Sequence, residues 1–295
     1  MSDKIKIAHL NANGVERSPD VIINYCTEQN IDILLLTETF LLSGKLNTSW
    51  TQYHNYAWTS GNAWVGFGGL TLLIRPDFPY HVHIYPHPNH YTITCSIGSY
   101  TIHSLYLPPS LTLNQYTETL TNLTIDDSTI FLGDLNTRLG SQLGDQRDNN
   151  RAPIFRNWIL DHGLILWNET LAYRISTFYK PTIGSSIIDF FISPETAVRA
   201  PSLVIRNDLA FGSDYHLCQF EFLTNTPLNR LPAPNAPRLH WKLQRFQEDD
   251  VLAVYVDEFT RNIEPINAEI DHHLEHNDLD LNAIEQIGKK ITTAI

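Results

Sequence analysis

The 295 residues carry 20 basic and 32 acidic side chains, a formal net charge of −12. That balance excludes a protein that grips nucleic acid through a broad basic surface, because phosphate contacts need lysine or arginine. With 42% hydrophobic and 18% charged residues, the chain has an ordinary globular composition and is long enough for one large domain or two small ones. Residues 1–223 hold 13 basic and 20 acidic side chains and the remainder 7 and 12, so both parts are acidic and any nucleic-acid contact has to be local or supplied by a partner. Cys26, Cys95 and Cys218 lie far apart in no metal-binding spacing and read as buried small hydrophobes in a reducing compartment. No run reaches the ~18 apolar residues of a membrane span, and MSDKIKIAHLN lacks the apolar core of a secretion signal; an intracellular protein with no membrane partner, cytoplasmic or nuclear, is expected.

Lys4–Asn11 alternates polar and apolar residues as a strand does, and Ser18-Pro19 opens an amphipathic helix over 21–28. IDILLLT (31–37) is a short continuous apolar run of the kind covered on both faces. Strands rich in Tyr, Ile and Thr follow at 68–75, 80–85, 91–97 and 100–106, a helix at 113–123, a strand at 128–133 and a helix at 152–162. Strands at 187–193, 203–206 and 215–223 close the pattern. Mixed strands with helices between them predict an α/β body of packed sheets over 1–223. A proline-rich linker is expected over 224–240, and a helical tail over 241–295 from the apolar spacing in 248–262 and 279–295.

Several of these strands end in a residue able to hold a metal or a phosphate. They are Asn11 after IKIAHL, Glu38 after IDILLLT, Tyr106 after TIHSL, Asp134 and Asn136 after STIFLG, Asp189 within SSIIDFFIS, and Asp214 in the closing segment. Singly, an Asp after an apolar strand is more often a turn residue than a ligand. As a set, carboxylates and amides at consecutive strand ends converge on one rim, where open α/β sheets place their sites. Phosphodiester hydrolysis suits such a rim: a hard cation such as Mg²⁺ binds through one or two carboxylates plus substrate oxygens, an aspartate orients the attacking water, and amides and a phenol hydrogen-bond the phosphate.

The motifs NANG (11–14), TET (37–39), GFGGLTLLI (66–74), LYLPPS (105–110), GDLNTRLG (133–140), SSIIDFFIS (185–193) and GSDYH (212–216) resemble, in order and spacing, the endonuclease/exonuclease/phosphatase superfamily over residues 4–223. Within it the chain looks most like the apurinic/apyrimidinic-type endonuclease domain of non-LTR retrotransposons, and PRLHWKL with the acidic helix after it is similar to the linker that joins such a domain to a reverse transcriptase. The resemblance implies two packed mixed β-sheets flanked by helices, a four-layer α/β/β/α sandwich, acting on DNA with Mg²⁺, for which Mn²⁺ would substitute. It implies Glu38 as metal ligand with Asn11 and Asp214 beside it, Tyr106 and Asn136 on the scissile phosphate, Asp134 on the water, Asp189 orienting a catalytic histidine, and Thr177 of ISTFY touching DNA. A reverse transcriptase in a longer parent protein is the implied protein partner.

The departure lies in GSDYH, where the superfamily has Ser-Asp-His and this chain has Ser213-Asp214-Tyr215-His216. Successive side chains of a strand face opposite ways, so Tyr215 would enter the site and His216 leave it. A bulge at Gly212–Tyr215 would instead turn His216 inward as the catalytic imidazole. Three readings follow: an active DNA endonuclease, a non-catalytic remnant that binds nucleic acid or protein, and a superfamily relative acting on another phosphoester. The acidity weighs slightly against the first, and the missing basic clamp for polyphosphate headgroups weighs more against the last. Elsewhere the plainer readings lead: His81, His83, His272 and His276 lack the Cys or HExxH context of a zinc site, Glu248-Asp249-Asp250 suits a helix N-terminal turn, and Trp64 and Phe67 are core aromatics before they are base-stacking ones.

Overall fold

The computed structural model describes residues 3–15, 19–59, 66–85, 89–209, 211–225, 227–228 and 249–276, with 286, 287 and 290. The chain divides into two compact units, Met1–Ala233 and Pro234–Ile295. In chain order the first contains β1 (Lys4–Asn11), α1 (Pro19–Glu28), β2 (Ile33–Thr37), β3 (Thr51–Asn55), β4 (Leu70–Ile74), β5 (Val82–Tyr85), β6 (Thr92–Ile97) and β7 (Tyr100–Tyr106). It continues with α2 (Leu113–Thr121), β8 (Thr129–Asp134), α3 (Ala152–Asp161), β9 (Leu164–Leu166), α4 (Trp167–Leu171), β10 (Phe178–Lys180), β11 (Gly184–Ser186), β12 (Asp189–Pro194), β13 (Val198–Arg206) and β14 (Leu217–Thr224).

The long strands form two six-stranded sheets, in the orders β13-β14-β1-β2-β4-β3 and β5-β6-β7-β8-β12-β9, and β10 pairs with β11 alone. Both sheets are mixed: β1 runs parallel to β2 and antiparallel to β14, and β7 runs parallel to β8, which is antiparallel to β12. Period-two alternation sorts the apolar residues into layers. Ile5, Ile7, Ile33 and Leu35 of one sheet pack between the sheets with Ile102, Ile130, Leu132 and Phe191 of the other. The opposite faces are covered by helices: Ala8, Leu10, Leu34 and Leu36 lie under Ile22 and Cys26 of α1, while Phe131 and Phe190 lie under Tyr116 of α2 and Phe155 of α3. Continuous runs such as ILLLT, buried along its whole length, are therefore strands with a hydrophobic layer on each side. Each such Leu, Ile or Phe contributes roughly 1.5–3 kcal/mol by leaving water, and the sandwich is the expected four-layer α/β/β/α body. All three cysteines are buried and free.

Five short elements escape the sequence reading: β3, β9, α4, β10 and β11. β3 reads TQYHN, polar residues of intermediate exposure on a sheet edge, so no apolar alternation marks it. β13 begins at Val198, upstream of the expected Leu203, because Pro201 is accommodated where the register shifts between Arg199 and Ser202 on an edge strand. In the second unit α5 spans Asp249–His276, longer than the expected 248–262, and runs on through Pro265. Ser18, Trp64, Glu248, most of the 224–240 linker and most of 279–295 lie outside the described residues.

Candidate active site

The rim anticipated from the strand ends exists, and it joins the two sheets. Register places Asn11 opposite Thr37, Tyr106 opposite Asp134, and Asp189 opposite Asp134 on its other side. Asn11 Nδ2 donates to Asp134 Oδ2 at 2.9 Å, a buried bond from one sheet to the other, and Asn136 N donates to Asp134 Oδ1 at 2.9 Å. Tyr106 Oη donates to Glu38 Oε1 at 2.8 Å, again from one sheet to the other. Glu38 and Asn136 both have left-handed backbones, with φ of 49° and 48°. For a glutamate that conformation is unusual, and sparsely populated backbone of this sort costs on the order of 1–3 kcal/mol and concentrates at functional sites. Gly133, one residue before Asp134, is required by contact: a Cβ there would meet the Leu105 carbonyl oxygen at 1.9 Å.

The electrostatics follow from burying several acids together. Asp134 is raised above the ordinary carboxylate range, first by burial and then by the negative charge of Glu38. Burial, followed by Asp134, raises Asp189 well above that range. Tyr106 is raised by burial and then by Glu38 and Asp134, so its phenol stays protonated and donates. Asn136 Nδ2 and both oxygens of Asp189 are buried without a hydrogen-bond partner. Unsatisfied buried polar atoms of this kind need an explanation, and here the donor and acceptors stand beside a group of mutually repelling carboxylates. Among the described residues no three Asp, Glu, His or Cys side chains form a cage for a metal ion. Magnesium asks for less, one or two carboxylates with water and substrate oxygens completing the shell, and Glu38 within an uncompensated cluster of oxygen donors fits that ion.

Asp189 reaches its position through its neighbours. Its backbone N donates to Thr177 Oγ1 at 3.2 Å, its carbonyl accepts from Asn168 Nδ2 at 3.0 Å, and His9 Nδ1 lies 3.4 Å from its Oδ1. Burial pushes the His9 imidazole down to about 3, so this pair is a neutral ring beside a carboxyl group and not an ion pair. Sequence reasoning passed over His9 because a histidine among the residues of an alternating strand carries no signal of its own.

Two expected assignments, those of Thr177 and His216, need correction. Thr177 is fully buried, its hydroxyl accepting from Ile188 N and Asp189 N, so it braces Asp189 and is not available to touch DNA. The Asp214 carboxylate, expected beside the metal, accepts from Lys180 Nζ at 2.8 Å. His216 does not turn inward: its N donates to Thr177 O at 2.7 Å and its Nδ1 lies 2.8 Å from Ser176 O. Phe178 and Tyr215 form an isolated antiparallel bridge that ties this segment to β10, and β14 starts only at Leu217. Tyr215 takes the inward place. Its phenol is raised far above its ordinary value by burial and then by Asp134, Glu38 and Asp189, the acids of the site.

One further residue was not foreseen. Arg151, 3% exposed, donates to the carbonyls of Leu107, Leu135, Pro108 and Leu111 and covers the Tyr116 ring. It thereby clamps the loop after Tyr106 to the loop after Asp134.

Two mixed six-stranded sheets between helices, with an acidic and amide-lined rim at the strand ends, define the endonuclease/exonuclease/phosphatase type of fold, and the resemblance read from the motifs is borne out. More particularly, a family model described as endonuclease-reverse transcriptase matches residues 100–217. Among solved structures, the endonuclease domain of TRAS1, a telomere-specific non-LTR retrotransposon, superposes with a TM-score of 0.61 at 17% identity, over 76% of this chain and 100% of that one. A 3′-5′ exonuclease from Neisseria meningitidis gives 0.57 at 18% identity, over 74% and 99% of the two chains. An AP endonuclease from Archaeoglobus fulgidus gives 0.56 at 18% identity with the same coverage, 74% and 99%. No protein of curated function matches the chain by sequence. None of the described helices is long and apolar enough to cross a membrane.

Proposed function

We propose that residues 1–223 form a magnesium-dependent endonuclease domain that hydrolyses DNA phosphodiester bonds, of retrotransposon origin, followed by a linker (224–240) and a helical tail (241–295) leading to a reverse transcriptase in a longer intracellular parent protein. The observation that carries this reading is the bonding of Asn11 to Asp134 and of Tyr106 to Glu38 across the two sheets, which fixes two acids, an amide and a phenol at one rim. Asp134, held on both oxygens and raised by burial and by Glu38, accepts a proton from the attacking water more readily than an ordinary aspartate. The unpartnered Nδ2 of Asn136 donates to the scissile phosphate, and the phenol of Tyr106, whose one proton is held by Glu38 Oε1, turns to the phosphate when that carboxylate takes up the metal. Glu38, with the Asn11 amide beside it, would hold the metal, Mg²⁺ or Mn²⁺, which would supply charge neutralisation at the phosphate and the leaving group. The family model's description and the retrotransposon endonuclease among the structural neighbours support the origin and the DNA substrate.

A second reading has its own observation. Tyr215 faces the acids where the superfamily has histidine, and its phenol, raised above the ordinary value of ~10, stays neutral near pH 7 and does not supply the positive charge of an imidazolium. On that reading the chain is a catalytically impaired remnant that binds nucleic acid or protein. Nicking of supercoiled plasmid with Mg²⁺ and with EDTA, by the full chain and by Asp134→Ala, separates the two. Expected is metal-dependent nicking that falls by about 10²–10⁴ in the variant. Nicking unchanged in Asp134→Ala would sink the endonuclease assignment.

A further inference from the structure

Beside the rim runs a groove of about 500 Å³ lined by Phe40, Trp58, Phe67 and Pro109, and it ends on Glu38 and Tyr106, two residues of the candidate site. Phe67 is 46% exposed, which overturns the core reading of this aromatic. A lone exposed phenylalanine needs no explanation, but this one is rigidly placed beside chemistry. Its backbone exchanges two hydrogen bonds with Trp58, at 2.8 and 3.1 Å, and Phe40 N donates to Gly68 O at 3.0 Å. Gly68 has φ of 72°, and a Cβ on it would meet the Trp58 indole at 2.3 Å, so a glycine is what lets this loop lie against the ring. The groove is thus a fixed aromatic slot continuous with the proposed site.

Its chemistry selects one occupant. A phosphate is disfavoured, because Glu38 puts a carboxylate at the mouth and, among the described residues, no lysine or arginine lines the groove. An aliphatic ligand would gain nothing particular from flat rings held in place, whereas a nucleobase is neutral, planar and joined to the phosphate that Tyr106 faces. We propose that this groove is a base-stacking subsite which takes one unpaired nucleobase next to the scissile phosphate, so that the preferred substrate is DNA with a locally unstacked or single-stranded nucleotide at the cut. The inference rests on the endonuclease reading for the position of the phosphate.

The test compares binding of two probes to the full chain in EDTA: an oligothymidylate of about 12 nucleotides, and an oligomer of equal length and charge with abasic sugar units in place of the bases. Wild type is expected to bind the base-bearing oligomer about 5- to 100-fold more tightly, from the stacking of one base. Phe67→Ala, at a half-exposed position that leaves the core intact, abolishes that preference, and Phe67→Trp retains it. Equal affinity of wild type for the two oligomers, binding of neither, or a preference that survives Phe67→Ala would each overturn the proposal, including the cases in which another protein or another part of this chain fills the groove. Plasmid nicking is measured in parallel. Base preference without nicking removes the endonuclease reading and leaves the subsite standing; nicking without base preference does the reverse.

Discussion

The two halves of the candidate site, both built from strand ends of one sandwich, behave differently. In the half formed by β1, β2, β7 and β8, the polar residues Asn11, Glu38, Tyr106, Asp134 and Asn136 bond to one another across the sheets. In the half formed by β10, β12 and the segment before β14, polar groups bond away from the centre: Asp214 to Lys180, His216 to Ser176, and Thr177 to the backbone of Asp189. Asp189 is left with two buried oxygens that no hydrogen bond satisfies. The first half is a closed network that any substrate would meet ready-made. In the second, Asp189 keeps two buried acceptor oxygens, and the residue that faces the acids of the site from the closing segment is Tyr215. The two halves are held by separate hydrogen bonds, so a change in one leaves the other in place.

The largest expected effect comes from repairing the second half. Tyr215→His puts an imidazole beside Asp189, and nicking of plasmid is expected to rise by as much as ~10²–10⁴, the usual contribution of a positioned acid or base. The pH profile sharpens this. In wild type the tyrosine is raised, so its proton is retained and it gives no limb below about pH 10; in the variant an ionisation appears near the ordinary histidine value of ~6.5, and the part of the rate that needs the imidazolium is lost as pH rises through it. A Tyr215→His protein no faster than wild type, with an unchanged profile, would show that the second half is not an imidazole site in waiting.

The first half is tested through its clamp. Arg151→Met leaves the carbonyls of Leu107, Leu135, Pro108 and Leu111 without their buried donor, and a loss of about 3–5 kcal/mol in unfolding free energy is expected from denaturant titration. Nicking should fall further than the folded fraction does, since the clamped loops carry Tyr106, Asp134 and Asn136. A variant as stable as wild type would mean that water takes over those carbonyls and that the two loops hold themselves.

How far each half could be read from the sequence follows the same division. Strand ends were legible because a run such as IDILLLT or STIFLG is apolar until the residue that leaves the sheet, so Glu38 and Asp134 announce themselves by position. Period-two alternation also set Tyr215 inward against a bulge, and the structure agrees. What could not be read depends on contacts distant along the chain. Arg151 finds its carbonyls about forty residues upstream, the side chains meeting Asp189 come from Thr177 and His9, and Thr177 sits just before a strand of only three residues. Residue type at one position says nothing of such partners, and for that reason the sequence does not reveal that Thr177 is buried under Asp189 or that Lys180 pairs with Asp214.

The smallest expected effect is the most exacting for the comparison. His216 is the one histidine in the closing segment, and by residue type it remains the obvious replacement for the missing imidazole. Its geometry argues otherwise, since the ring nitrogen is taken up by Ser176 O and the backbone by Thr177 O, both on the side of β10. Removing the ring costs one side-chain hydrogen bond at a partly exposed position, about 0.5–1.5 kcal/mol of stability, and none of the groups that meet substrate. His216→Ala should therefore nick plasmid within about twofold of wild type, and the double variant with Tyr215→His should keep the full gain. If His216→Ala alone loses as much as Asp134→Ala, the segment must rearrange when DNA binds, the imidazole must swing across from Ser176, and the second half would prove to be as complete as the first but closed until substrate arrives.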